Sequence, residues 1–305
     1  MSRRSRMGRR PFLRLACGGA LTALSAGVLG PAYALMVEPA WLDIARCTVE
    51  LPALPPALDG LTVAQLSDMH VTSPADANHL GRAVEVVQRL APDLVALTGD
   101  YVTHDATHVA LCAQALAPLQ APLGVYAVLG NHDVWTDADH VATGLAEVGI
   151  TVLRDAAVPL DAAGARLWIV GVDDVGRTNR PGARCNAFAG VWERALARGS
   201  ALLDELPPDE ARLLLVHNPD VHEVLAAQRV DLALSGHTHG GQVRLPLLGA
   251  PVLPSCYGQK YAQGLVQAPR WPVYVNRGLG TVSPPVRLNC RPEVTLLTLR
   301  SAGAA

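Results

Sequence analysis

The chain has 305 residues, half of them hydrophobic and 17% charged, with a formal net charge of −2; this excludes a disordered chain and supplies the core of one large domain or two small ones. The charge is uneven. The first 34 residues hold six arginines and no acid, so removing them from the 25 basic residues leaves 19 against 27 acidic ones, a balance near −8 that excludes the basic surface a nucleic-acid partner requires.

Arg3, Arg4, Arg6, Arg9, Arg10 and Arg14 precede an uncharged apolar run, Leu15 through Val37, the layout of an export signal. Gly8 to Ala16, "GRRPFLRLA", sets paired arginines before Phe12 and Leu13, as in a twin-arginine signal, which exports proteins already folded. "AYA", Ala32 to Ala34, offers a cleavage site, yet the run is also long enough to span a bilayer, so residues 1–34 read as a signal that is either cut or retained as an anchor. Arg14 stands where a lipoprotein signal needs an apolar residue before Cys17, so lipidation is not expected. The expected location is the periplasm or the outer side of the cytoplasmic membrane. Beyond the signal, Cys47, Cys112, Cys185, Cys256 and Cys290 form no CxxC pair, which excludes a zinc ribbon or thioredoxin-like centre and permits at most one or two disulfides.

Residues 35–60 read as an edge strand from Trp41 to Leu51 and a proline-rich connector, with the main domain over 61–300. A rhythm of strands and helices follows: "LTVAQLSDMH", "ANHLGRAVEVVQRLA", "DLVALTGD", "ATHVALCAQALAPL", "GVYAVLGNHD" and "DADHVATGLAEVG". Such alternation argues for βαβ units on a largely parallel sheet. The second half continues with strands at "ARLWIVGVDD", "ARLLLVHNPD" and "VDLALSGHTHGG", and helices around "VWERALARGSALLDEL" and "PDVHEVLAAQ". After Val243, "WPVYVNRG" and "EVTLLTLR" read as antiparallel strands closing a second sheet.

Each apolar run ends in candidate metal ligands, giving "SDMH", "TGD", "GNHD", "VHN" and "GHTH". In open α/β sheets ligands bind beyond the carboxyl ends of strands, so these tips should converge on one crevice. The candidates are Asp68, His70, Asp100, Asn131, His132, His217, His237 and His239. In extended chain residues i and i+2 face the same side, which would aim Asp68 with His70, and His237 with His239, at one point. Oxygen and imidazole donors without thiolate suit Mn, Fe, Zn or Co. So many ligands exceed the needs of one ion and argue for two, about 3.5–4 Å apart, sharing a carboxylate, for which Asp100 is the natural choice.

The ordered series D-x-H, GD, GNHD, H, GHxH, from Asp68 to His239, resembles the calcineurin-like metallophosphoesterase superfamily. Within it, "GHTHGGQ", the twin-arginine start and "NRGLGTVSPPVRLNCRPEVTLLTL" resemble the exported or membrane-associated bacterial branch related to UDP-diacylglucosamine hydrolases. The resemblance implies a two-sheet α/β/β/α sandwich. It implies that Asp68, His70 and His239 hold one ion and Asn131, His217 and His237 the other, with Asp100 bridging. His132 would protonate the leaving oxygen or donate to the phosphoryl group. The implied reaction is hydrolysis of a phosphodiester or pyrophosphate-linked substrate, small or lipid-linked, by attack of a metal-bridging hydroxide. One departure stands out: where the phosphoprotein phosphatases of the superfamily carry GDxxD, this chain has "GDYVTHD", with Thr103 in place of the last Asp. The partner that orients His132 is then open between Asp105 and Asp133, and a protein-phosphatase role is disfavoured.

The remaining histidines, His79, His104, His108, His140 and His222, match no motif piece and are expected in solvent or at caps. Gln242 and Arg277 are candidate substrate contacts that also read as solvated loop residues, and Trp135 reads equally as a hydrophobic anchor or a substrate platform. The reading from another class is an exported metal-binding envelope protein without turnover; a well-placed acid such as His132 argues against it.

Overall fold

The computed structural model describes residues 29–174, 192, 196–227 and 229–302. Most of the expected signal, including the paired arginines and Cys17, and also Cys185, lies outside the described residues. No helix among the described residues is long and apolar enough to cross a membrane.

Strands with apolar residues at nearly every position are buried on both faces here, as expected when a sheet is covered on both sides. The first sheet has the order β1 (Asp43–Leu51), β12 (Glu293–Ser301), β2 (Thr62–Leu66), β3 (Leu94–Leu97), β4 (Val125–Ala127), β5 (Thr151–Val152). The second runs β10 (Gly264–Gln267), β11 (Pro272–Val275), β9 (Leu232–Ser235), β8 (Ala211–Leu215), β7 (Ala165–Gly171), β6 (Ala156–Ala162). The sheets face each other across a core that includes Val63, Leu94, Ile169, Leu213, Leu234 and Leu297. Outside the first sheet pack α1 (Pro74–Leu90), α2 (Val109–Leu116) and α3 (Asn131–Glu147); outside the second packs α4 (Ala197–Glu205). The result is the α/β/β/α sandwich that the resemblance implies.

Local signals explain the elements. In α1 Ser73 caps the N-terminus by accepting from Asp76 N–H (3.3 Å), Pro74 begins the helix, and Ala91 ends it in a left-handed turn (φ 47°). Its buried residues, Ala77, Leu80, Ala83, Val84 and Val87, recur at three- and four-residue spacing and face the sheet.

Three expectations fail. "EVTLLTLR" does not close the second sheet: β12 enters the first, parallel to β1 and antiparallel to β2. Of the expected antiparallel pair only β11 lies in the second sheet, antiparallel to β10 and parallel to β9. "PDVHEVLAAQ" forms only a short 3-10 turn, Pro219–Glu223. Tertiary bonds replace the helix there, because buried Asp220 accepts from Ser255 Oγ (2.5 Å) and Cys256 N–H (2.7 Å). His222, expected in solvent or at a cap, is wholly buried: its Nδ1 accepts from Trp271 Nε1 (3.1 Å) and its Nε2 lies 3.1 Å from Ser235 Oγ. Burial lowers its pKa to about 3, so it is a neutral core histidine. Cys256 is disulfide-bonded, while Cys47, Cys112 and Cys290 are free thiols.

Candidate metal centre

The C-terminal tips of β2, β3 and β4 in one sheet and of β8 and β9 in the other meet at one end of the sandwich. Gln65 ties the sheets together there, its Nε2 donating to Thr98 Oγ1 (3.0 Å) and to Ser235 O (2.9 Å). The strand-tip residues expected from sequence are brought together. Asp68, His70 and His239 form one cluster, Asp100, His217 and His237 a second, all buried, and Asp100 also clusters with His70 and His132. Asp68 Oδ1 lies 3.3 Å from His239 Nε2. Asp100 Oδ2 lies 3.1 Å from His217 Nε2 and 3.5 Å from His70 Nε2, so it stands between the two groups.

The route to this geometry differs from the expected one. Asp68 and His70 lie beyond the end of β2, and His237 and His239 beyond β9, so the strand pleat does not aim them. Left-handed turns do, with φ of 52°, 46°, 69° and 52°, and Asp100 at 57°. Such backbone costs about 1–3 kcal/mol per residue and persists where the surroundings impose it, typically at functional sites. Glycines make room around the acids. A Cβ on Gly236 would lie 1.9 Å from Ser67 Oγ and 2.3 Å from Asp68 Oδ2, and one on Gly130 would lie 2.2 Å from Asp100 Oδ1. Gly236→Ala should therefore displace Asp68 and weaken metal affinity roughly 10–100-fold, as loss of ligand support does elsewhere. Metal titration checks this; unchanged affinity would sink it.

Each imidazole is oriented from behind. His217 Nδ1 donates to Thr98 O (2.6 Å), leaving Nε2 for Asp100. His70 Nδ1 meets Thr103 Oγ1 (3.3 Å), and His132 Nδ1 donates to Thr103 O (2.8 Å). Thr103, the departure from GDxxD, thus orients two histidines, one through its hydroxyl and one through its carbonyl. Neither sequence candidate for that task performs it. Asp105 caps a 3-10 turn by accepting from Thr107 N–H (2.9 Å). Asp133 is buried and accepts from the backbone N–H groups of Asp100 (2.8 Å), Tyr101 (2.9 Å), Val102 (3.3 Å) and Gly130 (2.9 Å), fixing the turn that carries Asp100.

Burial lowers the pKa of His70 and His237 to about 3 and that of His239 well below its usual value, which keeps them neutral with lone pairs available. Burial also pulls on His217, but Asp100 and Asp68 outweigh it and hold its pKa well above normal. Asp68 is raised to about 6 by burial, with Asp100 adding to the rise. Asp68 and Asp100 are both buried, His217 is the one surrounding ligand imidazole held towards its charged form, and Asn131 Oδ1 is buried without a hydrogen-bond partner. Divalent cations fit this donor set of carboxylates, imidazoles and an amide oxygen, and would supply positive charge to the acids and a partner for the orphaned oxygen.

His132 takes the position at the rim. Its backbone N–H donates to Asp100 Oδ1 (2.9 Å), and its half-buried ring lies 4.8 Å from those of His70 and Trp135 and 5.0 Å from that of His104. His104, expected in solvent or at a cap, is thus part of this aromatic group, and Trp135 is 44% exposed beside it.

Gln242 and Arg277 are engaged otherwise. Gln242 Nε2 donates to Val282 O (3.2 Å) and Pro284 O (3.1 Å), and Oε1 accepts from Val282 N–H (2.6 Å). Arg277 pairs with Glu293 and with Asp43 (2.7 Å), joining β1 to β12. Sequence reasoning missed Arg287, which is wholly buried and donates to the carbonyls of Arg277 (3.0 Å), Gly278 (3.0 Å), Gly280 (2.6 Å) and Cys290 (2.9 Å). That loop lies against Asp68, with Gly280 N–H donating to Asp68 O (2.7 Å). The only signal was an arginine among glycines and prolines.

Residues 61–241 match the calcineurin-like phosphoesterase family. YkuE of Bacillus subtilis (strain 168), an uncharacterized metallophosphoesterase, is 34% identical over 304 residues, covering 97% of this chain and 99% of its own. The phosphodiesterase YaeI of Escherichia coli (strain K12) is 32% identical over 297 residues, covering 96% and 99%. Among solved structures, TT1561 of Thermus thermophilus aligns with a TM-score of 0.44 and 15% identity over 72% of this chain and 90% of that one.

Proposed function

Because the chain belongs to the calcineurin-like phosphoesterase family, we propose that it is an exported two-metal phosphodiesterase. One observation carries this reading: of two buried ligand clusters, Asp68 with His70 and His239 and Asp100 with His217 and His237, Asp100 also groups with His70 of the first and with His132 at the rim. In it Asp68, His70 and His239 would hold one ion and Asn131, His217 and His237 the other, with Asp100 common to both. Divalent ions bound there supply Lewis acidity, lowering the pKa of water and neutralising charge on phosphoryl oxygens. The protein's own residues do the rest. Thr98 and Thr103 hold His217, His70 and His132 in single orientations. His132, with Nδ1 fixed on Thr103 O, has Nε2 left to carry a proton to the leaving oxygen.

A diester preference draws support from the YaeI relative, which is described as a phosphodiesterase. A lipid-linked or pyrophosphate-linked substrate draws support only from the resemblance of the "GHTHGGQ" segment, and export from the arginine-rich start. The test combines metal content of the exported protein with hydrolysis of bis-p-nitrophenyl phosphate and p-nitrophenyl phosphate in added Mn. The expected result is close to two ions per chain and diester turnover that chelation removes and Mn restores. Faster monoester turnover would overturn the diester assignment, and bound metal without turnover would favour an envelope metal-binding protein.

A further inference from the structure

Most of the large apolar side chains exposed among the described residues fall in two short segments. One contains Leu29, Leu35 and Met36; the other, beyond the metal centre, contains Leu247, Leu248 and Val252. Met36 is 77% and Leu248 74% exposed, and Leu247 is wholly so. Single apolar residues on a surface need no explanation, but a contiguous patch does.

Hydrogen bonds set these segments on either side of one strip of chain. On one side Arg287 N–H donates to Ala34 O (2.9 Å) and Cys290 N–H to Glu38 Oε1 (2.5 Å). On the other, Leu288 N–H donates to Gln242 O (2.8 Å) and Arg244 N–H to Leu288 O (2.8 Å). From Arg244 the chain enters the turn closed by Leu245 N–H on Gly249 O (2.8 Å). Folding does not call for leucine at its apex. Leu247 has φ of 67°, which Gly or Asn adopts more cheaply, and it packs on nothing.

The sequence entering this face names the occupant. Leu15 through Val37 carries no charge and follows six arginines, a composition suited to lipid and to an anionic membrane surface. The border is amphipathic as well: Trp41 is about half exposed, with the Arg291 guanidinium 3.9 Å above its ring, the kind of pair that sits where headgroups meet acyl chains. We propose that the face made by residues 29–37 and the 245–252 turn docks on a lipid bilayer. This stands apart from the catalytic reading. A cavity of about 570 Å³ is lined both by Leu35 and Met36 and by His70 and Thr103, so docking brings the metal centre within reach of a molecule held in the membrane.

The test uses the full chain with Leu247→Trp, mixed with phosphatidylethanolamine–phosphatidylglycerol vesicles brominated on the upper acyl chain, with the wild-type emission subtracted. An interfacial apolar face sits about 5–10 Å into the headgroup boundary, so the added tryptophan should shift to the blue and be quenched by roughly half. Protein that floats with vesicles while the added emission stays unquenched would overturn the proposal, leaving residues 1–28 as the sole attachment. So would protein that does not float, or one whose added tryptophan shifts only with its own concentration, the mark of a second copy on this face. Unchanged far-UV circular dichroism shows that the variant folds.

Discussion

Asp100→Asn should lower diester turnover by at least ~10³-fold, the order lost when a preorganised charge at the reacting centre is removed. Asp100 Oδ2 is the oxygen nearest both halves of the site, 3.1 Å from His217 Nε2 and 3.5 Å from His70 Nε2, while Oδ1 accepts the His132 N–H. Asparagine keeps the size and can keep the bond to His132, but it loses the negative charge that two cations would share. Metal content should fall from two ions towards one. Stability without metal should also fall, because despite burial Asp100 is held well below the usual carboxylate range by His217, His70 and His132, and the substitution leaves His217 without its paired charge. Equal turnover, or loss of activity only through unfolding seen by circular dichroism, would sink the role assigned to Asp100.

His132→Gln should behave differently: kcat lower by about 10²–10⁴-fold, the usual worth of a general acid, with metal content unchanged. The loss should depend on the leaving group. Nitrophenolate departs readily without a proton, so bis-p-nitrophenyl phosphate should suffer less than an alkyl phosphodiester, whose alkoxide needs one. Identical losses for both esters would remove His132 from proton transfer and leave it a positioning residue. Loss of metal would instead show that its backbone contact with Asp100 or its ring contact with His70 supports the ligands.

The clustering of candidate ligands was legible in the sequence because strand tips repeat one arrangement: a buried apolar run ends, and Asp, Asn or His follows within a few residues of Gly, Ser or another polar residue. The conformation was not, since Asp68, His70, His237 and His239 adopt left-handed turns that no periodicity announces. Orientation of the histidines was also hidden. It depends on backbone carbonyls, Thr98 O and Thr103 O, and any residue type carries one. His222 and Arg287 were misjudged or missed for a shared reason: their burial is decided by distant chain, Trp271 and Ser235 in one case and the 277–290 loop in the other. For β12, the apolar run marked a strand but could not choose between sheets, because both offered an apolar face.

The position of β12 bears on how the polypeptide is made. Glu293–Ser301 lies between β1 and β2, separating strands that come from the first part of the chain. Until residue 301 clears the ribosome, β1 has no neighbour and β2 keeps a bare edge, so the first sheet cannot be completed during synthesis. Nascent chains must wait with exposed edges, and termination before Glu293 would leave β1 unpaired and the edge of β2 bare, a product that chaperones and proteases recognise.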